Sequence, residues 1–412
     1  MTRSRTNRRL QAMAATSIVV MGLAACGSDG GGSGSDSDEP IKIGTSLPLT
    51  GEFSQPGTAA QQGYQVWEQM VNDSGGMLGR DVELIIKDDA SNQNTIVADY
   101  NALISQDNVD LLLGTFSSLL NLPASAVAER NQMLFIEPAG GSPDMFNRGF
   151  EYLFFAQQAT ADKQGKVFAE WIAALPEDRR PATAAYPTID DPFAAPNVEG
   201  IREILEAAGV ETVYQETYAI DTKNFDTIVT AMQAAQPELV VHGAVFEAGV
   251  GLVRSMLRAN FKPTWLYQTS APSQGTQYAE AIGEENTEGV MFAISHAPEA
   301  DTPGNEEFVA AYDEMFGGPP PEDAADAYAA GQVLQAAVEA VGSIDDQKAL
   351  ADWVRENKVT TILGDLEWND DGSPIGEFLI GQWQDGQVEF VLPEDFATTD
   401  KIVEGWMPGG GA

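Results

Sequence analysis

Two adjacent serines offer the clearest candidate binding chemistry in the sequence. Ser117 and Ser118 follow an apolar, strand-like segment at 110–114 and precede a segment of helical spacing at 122–130. Hydroxyl and backbone N–H groups at the start of a helix can hold a carboxylate, assisted by the positive end of the helix dipole. The same groups also cap a helix in the absence of any ligand, and the two roles are compatible. We predict that both serines contact a ligand.

A second candidate segment follows the next strand-like stretch, at 133–136. Ala139, Gly140 and Gly141 leave the backbone bare, so that a ligand can approach it closely. Ser142 and Pro143 then form a strong helix start, with serine at the cap and proline at the first helical position. In open α/β sheets, ligands bind beyond the carboxyl ends of the strands, which is where both segments fall.

Signals for enzyme chemistry are weak. The chain contains two histidines, His242 and His296, and they lack the spacing of a metal-binding pair. His242 follows an apolar strand, which favours a satisfied strand-end side chain over a catalytic base. There is no nucleophile elbow and no phosphate-binding loop with lysine. The acid-rich segment 369–373 is typical of a tight turn and lacks the glutamate that completes a calcium loop. We therefore predict a non-enzyme without catalytic residues, metal or cofactor, and keep a lipid-anchored hydrolase as an alternative.

The single cysteine, Cys26, has a different chemistry. It follows an arginine-rich start, a short apolar run and the small residues Ala24 and Ala25, and a Gly/Ser/Asp stretch comes after it. This order is typical of a secretory signal and resembles a bacterial lipobox, in which the thiol receives a diacylglycerol. We predict a signal peptide at 1–25, a flexible tether at 26–40 and a lipid anchor on the extracytoplasmic face of the cell membrane. The alternative is an ordinary signal peptide with an incidental cysteine.

Composition narrows the classes of partner. The chain has 412 residues and a formal net charge of −40. Such a surface repels nucleic acid and anionic lipid at long range. A zwitterion, a neutral molecule or a cation is favoured as a ligand over an anion. The length accommodates two domains.

A regular alternation of strands and helices positions the candidate residues. In the first half, the pattern predicts strands at 41–44, 82–86, 110–114 and 133–136, and helices at 59–71, 94–105 and 122–130. The alternation restarts after Ala161, with strands at 182–186, 211–218, 239–243 and 264–267, and helices at 163–175, 198–208, 225–235 and 248–259. Helices at 308–316 and 324–341 and two Asp-Gly hairpin turns, at 366–373 and 383–388, follow. Apolar strands alternating with helices indicate parallel sheets covered on both faces, an α/β fold.

Several segments, in order along the chain, resemble the leucine/isoleucine/valine-binding proteins. They are 41–51, 71–80, 87–90, 114–118, 138–143, 148–152, 287–290 and 362–368. No single segment is specific, but the ordered set covers nearly all of the chain after the tether.

The resemblance implies a type I periplasmic-binding-protein fold, in which two α/β lobes enclose a ligand cleft. One lobe would take 41–157 and about 292–360, and the other 158–291 and about 361–412. Three crossovers would act as hinges, near 156–160, 291–295 and 360–365. Lipid-anchored members of this family deliver ligands to the transmembrane subunits of an ABC permease. The expected protein is a monomer that binds a small molecule and no nucleic acid. A ligand-sensing receptor subunit on the same fold is the alternative.

The resemblance also implies ligand contacts in both lobes. In the first lobe, Ala139 and Gly141 would face the head group of an amino acid, and Gln55 would lie at the cleft edge. In the second lobe the implied positions are Phe193, Phe246 or Val245, Gln268 and Thr269. The acidic residue that receives an ammonium group in the family would fall near Thr269, where this chain has none. Glu137 and Glu247 are possible substitutes, with structural or solvated roles as alternatives. This departure weakens the case for a branched-chain amino acid and leaves an amide or an aromatic acid open.

Overall fold

Two large β-sheets organise residues 39–409, the part of the chain that the computed structural model describes. The predicted signal peptide, Cys26 and the tether as far as residue 38 lie outside this range. Within it, no helix is long and apolar enough to cross a membrane.

The first sheet has five strands, all parallel, in the order β2-β1-β3-β4-β5. Its elements are β1 (Ile41–Leu47), α1 (Ser54–Asp73), β2 (Val82–Asp88), α2 (Gln93–Ala102) with a π-helical turn (Leu103–Asp107), β3 (Leu111–Leu113), α3 (Ser118–Arg130), β4 (Phe135–Glu137) and β5 (Leu153–Phe155).

The second sheet has seven strands, parallel except at one edge. Its contiguous part comprises α4 (Ala161–Gln164), α5 (Lys166–Ala174), β6 (Thr183–Ile189), α6 (Ala194–Ala207), β7 (Glu211–Tyr218), α7 (Asp226–Ala235), β8 (Leu239–His242), α8 (Phe246–Arg258), β9 (Trp265–Gln268), α9 (Thr276–Ile282) and β10 (Met291–Ile294).

The last part of the chain covers one face of the first sheet and adds two strands to the second. It comprises α10 (Asn305–Phe316), α11 (Glu322–Val341), α12 (Gln347–Glu356), β11 (Val359–Thr361), β12 (Gly364–Leu366), β13 (Leu379–Gln384) and β14 (Gln387–Leu392). Strands β13 and β14 form the antiparallel edge of the second sheet, in the order β14-β13-β10-β9-β8-β6-β7. The predicted Asp-Gly turn joins them, with positive φ angles at Asp385 and Gly386.

Buried apolar side chains fill the space on both faces of each sheet. Helices α1, α10, α11 and α12 cover one face of the first sheet, where Trp67 and Tyr64 are buried against the alanines of α11. Helices α5 and α6 cover one face of the second sheet. The remaining faces share one apolar cluster that continues from Phe116 and Phe155 on the first sheet to Val245 on the second. The predicted α/β fold with helices on both faces is confirmed.

The chain passes between the sheets three times. The first passage follows β5, as predicted. The second begins after Ile294, because the segment predicted as a crossover at 291–295 is strand β10 of the second sheet. The third lies between Leu366 and Leu379, because 359–366 is a hairpin whose apolar side chains pack with the core of the first sheet. The second and third crossovers thus lie later in the chain than the sequence analysis placed them.

Candidate ligand-binding cleft

A partly enclosed cavity lies between the two sheets, at the carboxyl ends of their parallel strands. The loops after β3, β4 and β5 line it from one side, and the loops after β6, β8 and β9 line it from the other. The first turn of α11 completes the wall. The space in which the centre of a water molecule can move is about 50 Å³. This site therefore admits a compact small molecule and excludes a polymer.

About half of the predicted site residues line this cavity. They are Ser117, Ala139, Gly141, Phe193 and Thr269, together with Val245, which was the alternative to Phe246. Gln55, Ser118, Gly140, Phe246 and Gln268 do not line it. Sequence reasoning missed eleven lining residues: Phe116, Pro138, Phe155, Gln157, Gln164, Asp191, Ser270, Glu322, Asp323, Asp326 and Phe378.

Ser117 combines backbone strain with an unused hydroxyl. Its φ of 74° and ψ of 147° lie in a region that residues with a side chain rarely adopt. Its Oγ is buried and has no hydrogen-bond partner. Ser118 next to it starts α3, but its Oγ accepts the backbone N–H of Ser142 at 3.0 Å, which ties the two loops together. Of the two serines, only Ser117 lines the cavity and can present its hydroxyl to a ligand there.

The glycine-rich loop after β4 wraps around a buried carboxyl group. Glu137 Oε2 accepts the N–H of Ala139 at 2.9 Å and the side-chain amide of Asn121 at 3.1 Å. A Cβ at Gly140 would come within 2.7 Å of the same carboxyl group, so this glycine is needed for close packing and not for ligand approach. Burial raises the pKa of Glu137 well above its ordinary value. Glu137 therefore organises the loop from behind, and Gly141 faces the cavity.

The second side of the cavity presents an acid, Asp191, and a threonine whose hydroxyl is already hydrogen-bonded. Asp191 Oδ1 caps α6 by accepting the N–H groups of Phe193 and Ala194. Its other oxygen, Oδ2, is buried without a partner. Burial raises the pKa of this carboxyl to about 6. The Thr269 hydroxyl already bonds to the backbone of Ala244 in both directions.

Gln268 and His242 belong to a separate buried network behind the cavity. The Gln268 amide lies 2.9 Å from His242 Nδ1, and the Tyr218 hydroxyl lies 2.5 Å from His242 Nε2. Burial lowers the pKa of His242 to about 3, so the ring is neutral at physiological pH. The predicted role of His242 as a satisfied strand-end histidine agrees with this geometry. Glu247, a suggested substitute acid, is exposed on α8.

Three carboxyl groups from the first turns of α11 form the remaining wall. Glu322 and Asp326 both accept the hydroxyl of Ser295, at 2.9 and 2.7 Å, and Asp323 accepts the amide of Gln274 at 2.6 Å. Burial raises the pKa of Asp323 to about 8, and the Glu322 charge adds to the shift. Burial, together with the charges of Glu322 and Asp323, also raises the pKa of Asp326 well above its ordinary value. The ion pairs found among residues 39–409 include none of these three acids.

Polar contacts hold the rim of the cleft together. Gln55, at the start of α1, donates its amide to Gln274 Oε1 at 3.1 Å and also bonds to Gln277. Lys223 forms an ion pair with Glu52 across the same edge. Gln274 in turn donates to Asp323. Gln55 therefore lies at the cleft edge, as the family resemblance implied, and links residues that follow the first sheet's β1 to residues that follow the second sheet's β9.

A family model described as "Periplasmic binding protein" matches residues 40–387, which is most of the chain. The chain belongs to this family. A Leu/Ile/Val-binding protein homologue from Brucella melitensis is 27% identical to this periplasmic binding protein, over 84% of this chain and 92% of the relative. The resemblance drawn from the ordered sequence segments is thereby confirmed.

Solved structures share the fold. The leucine-binding protein LivK from Thermotoga maritima superimposes with a TM-score of 0.76 at 21% identity, covering 86% of this chain and 99% of LivK. A solute-binding protein of an ABC transporter from R. palustris, solved with benzoate, gives 0.75 at 20% identity, covering 90% and 99%. At this identity the two structures establish the type I periplasmic-binding-protein fold and not the ligand.

Ser117 provides a direct test of strain at the cavity. We expect Ser117→Gly to stabilise the ligand-free protein by about 1 kcal/mol, because glycine adopts the strained φ without a Cβ penalty. The same change removes the unpartnered hydroxyl, and we expect ligand affinity to fall roughly three- to tenfold. Chemical denaturation and calorimetric titration measure the two effects separately.

Asn108→Gly is the matched control. Asn108 is exposed, has a φ of 53° and lies away from the cavity. This variant should gain stability and leave ligand affinity unchanged. Loss of stability in Ser117→Gly would contradict the interpretation that strain is stored at this residue.

Proposed function

We propose that this periplasmic binding protein captures a small polar ligand, an amino acid or a related compound, between two lobes and delivers it to an ABC permease. The observation that supports the proposal is the position of the cavity, which is lined from both sheets at the carboxyl ends of their strands. Each proposed lobe is built around one sheet. The crossovers after β5, β10 and β12 are the proposed hinges.

The proposed mechanism is a two-state clamp. Ligand that touches both walls binds the closed form more tightly than the open form, so it shifts the population towards closure. In the proposed clamp, the rim contacts of Gln55 with Gln274 and Gln277, and of Lys223 with Glu52, stabilise the closed form. A permease would read the closed surface. Relatives of this chain are named as binding proteins, and none of the buried histidines supplies a catalytic base, which supports binding over turnover.

Distances between spin labels test the clamp. Cys26 is the only cysteine of the chain, so Cys26→Ser leaves a background for labels at Glu52→Cys and Lys223→Cys. We expect ligand to shift the label distance to a short, narrow distribution, because these two residues face each other across the rim in the closed form. Ligands are found first by a thermal-shift screen of amino acids, amides and aromatic acids, since binding to the native state alone raises stability.

A label pair at Glu52 and Asn94 is the control, because both residues flank the first sheet. Its distance should stay constant. A saturating ligand that changes neither distance would reject the clamp.

The membrane anchor is proposed from Cys26 and its flanking residues. We expect the native protein to begin at Cys26, to carry the mass of a diacylglycerol and to sediment with membranes. Cys26→Ser should release it into the soluble fraction with ligand affinity unchanged, because the cavity lies entirely within residues 116–378. An unmodified N-terminal residue in the mass spectrum of the native protein would refute the anchor.

A further inference from the structure

Carboxyl groups dominate the polar wall of the cavity. Four carboxyl side chains line it, from Asp191, Glu322, Asp323 and Asp326, and no lysine or arginine is among the lining residues. Asp191, Asp323 and Asp326 are each at most 6% exposed. Buried carboxylates are costly unless a cation or a proton compensates them. Among residues 39–409, no ion pair provides that cation.

Buried oxygens without hydrogen-bond partners also indicate a ligand that carries donor groups. Ser117 Oγ, Gln157 Oε1 and Asp191 Oδ2 are buried without a hydrogen-bond partner, and all three residues line the cavity. They come from the first sheet, the first crossover and the second sheet, so they surround the space from different sides. The Gln157 and Asp191 oxygens accept hydrogen bonds, and the Ser117 hydroxyl can accept one as well, so a ligand with donor groups can satisfy all three.

Aromatic rings complete the environment. Four phenylalanines line the cavity. Phe116 and Phe155 come before the first crossover in the sequence, and Phe193 and Phe378 come after it. The face of a phenyl ring attracts a cation electrostatically, more strongly when water is excluded. Carboxyl groups combined with phenyl rings suit an organic ammonium group better than a metal ion. Consistent with this, the described part of the chain has no group of acids and histidines arranged to hold a metal.

We propose that the natural ligand is a compact organic cation whose ammonium group sits between Asp191 and the acids of α11. The inference rests on the proposed binding function and specifies its substrate class. An anion such as an aromatic acid would face four carboxyl groups, and a branched-chain amino acid would neutralise one charge at most. A diamine, a basic amino acid or a quaternary ammonium compound matches the donors, the charge and the size of the site.

Calorimetric titration of the full chain tests this assignment. The probes are 1,4-diaminobutane, L-lysine and choline as cations, L-leucine as a zwitterion, benzoate as an anion and calcium chloride as an inorganic cation. We expect at least one organic cation to bind tenfold or more tightly than leucine, benzoate and calcium. Tighter binding of the primary ammonium compounds would identify hydrogen-bond donation as the main contact. Tighter binding of choline would identify cation–π attraction instead.

Asp191→Asn provides the variant, because an asparagine oxygen still caps α6 while the charge that faces the cavity is lost. We expect it to lower the affinity for the cation at least tenfold. Glu247→Gln removes the same charge from an exposed position on α8 and should change the affinity less than twofold. Unchanged circular dichroism would show that the variant is folded.

Several results would overturn the assignment: preferred binding of leucine, benzoate or calcium, no binding of any organic cation, or full affinity in Asp191→Asn. Tight leucine binding that shortens the distance between labels at positions 52 and 223 would refute the cationic ligand and leave the clamp intact. Tight cation binding without that shortening would refute the clamp and leave the ligand class intact.

Discussion

Asp323→Asn is expected to make the ligand-free protein more stable at pH 8 and to leave its stability at pH 4 unchanged. The native carboxyl group keeps its proton until about pH 8, whereas the unfolded chain loses it near the ordinary value of 3.8. The native state therefore binds more protons between these pH values, and stability falls as pH rises through this window. Asparagine has no proton to lose, and its oxygen can still accept the Gln274 amide.

The gain in the free energy of unfolding at pH 8 should be about 2–3 kcal/mol. This is less than the full pKa shift would give at 1.36 kcal/mol per unit, because Glu322 and Asp326 can move away from the ionised Asp323 and so reduce the repulsion. Urea titrations at pH 4, 6 and 8 measure the effect. Asp395→Asn removes an exposed carboxyl group instead and should leave the pH profile unchanged. A variant that is less stable than the wild type at pH 8 would contradict the mechanism.

The same substitution should weaken ligand binding while it strengthens the fold. Natural sites often retain groups that are unfavourable without their ligand. The opposite signs of the two changes would mark Asp323 as a binding group and not as part of the structural core.

Gly63→Ala is expected to cause a large loss of stability although it adds only one methyl group. Gly63 lies in α1 where it crosses α11, and an added Cβ would stand 1.9 Å from the carbonyl oxygen of Ala324. The obstacle is backbone, so no side-chain rotation relieves the clash and the helices must separate. We expect a loss of about 1–3 kcal/mol in the free energy of unfolding.

Urea titration of Gly63→Ala beside Gln69→Ala provides the measurement. Gln69 is exposed on the same helix, and its truncation should change stability by less than about 0.5 kcal/mol. Displacement of α11 also moves the acids near its start, so we expect Gly63→Ala to lower ligand affinity as well as stability. Wild-type stability in this variant would show that the crossing is less tightly packed than the structure indicates.

The alternation of strands and helices could be predicted because most elements carry a clear apolar period. Strand β7, at Glu211–Tyr218, has the predicted bounds. Strands β5 and β10 were missed, because three or four apolar residues between loops do not reveal whether they pair or cross over. Their membership in a sheet depends on partners far away in the sequence.

Helix α3 shows how a distant side chain changes a boundary. The sequence pattern predicted that the helix begins at Leu122. The helix begins at Ser118, and the proline lies inside it. The carbonyl of Leu119, which would have accepted the missing N–H of Pro123, accepts the amide of Gln93 at 3.0 Å instead. A pattern of neighbouring residues cannot predict a contact between residues that are 26 positions apart.

The acids of the site were missed for a different reason. Glu322 and Asp323 precede the helix that was predicted at 324–341, and acids near the start of a helix usually serve only to favour the helix dipole. The informative signal was the composition of the helix that carries these acids. Helix α11 is so rich in alanine that it must be buried on most sides, and Asp326 follows Glu322 by four residues, on the same face. Acids on a buried face need a function or a partner.

The order of the elements also has a consequence for biogenesis. Trp67 of α1 packs against α11 over one face of the first sheet. More than half of the chain separates Trp67 from α11. An emerging chain cannot close this half of the molecule until its last third has been made, because the covering helix belongs to that part. Contacts of such long sequence separation delay folding. A polypeptide that stays loose until it is nearly complete is well suited to threading through a narrow translocation pore before it acquires its final shape.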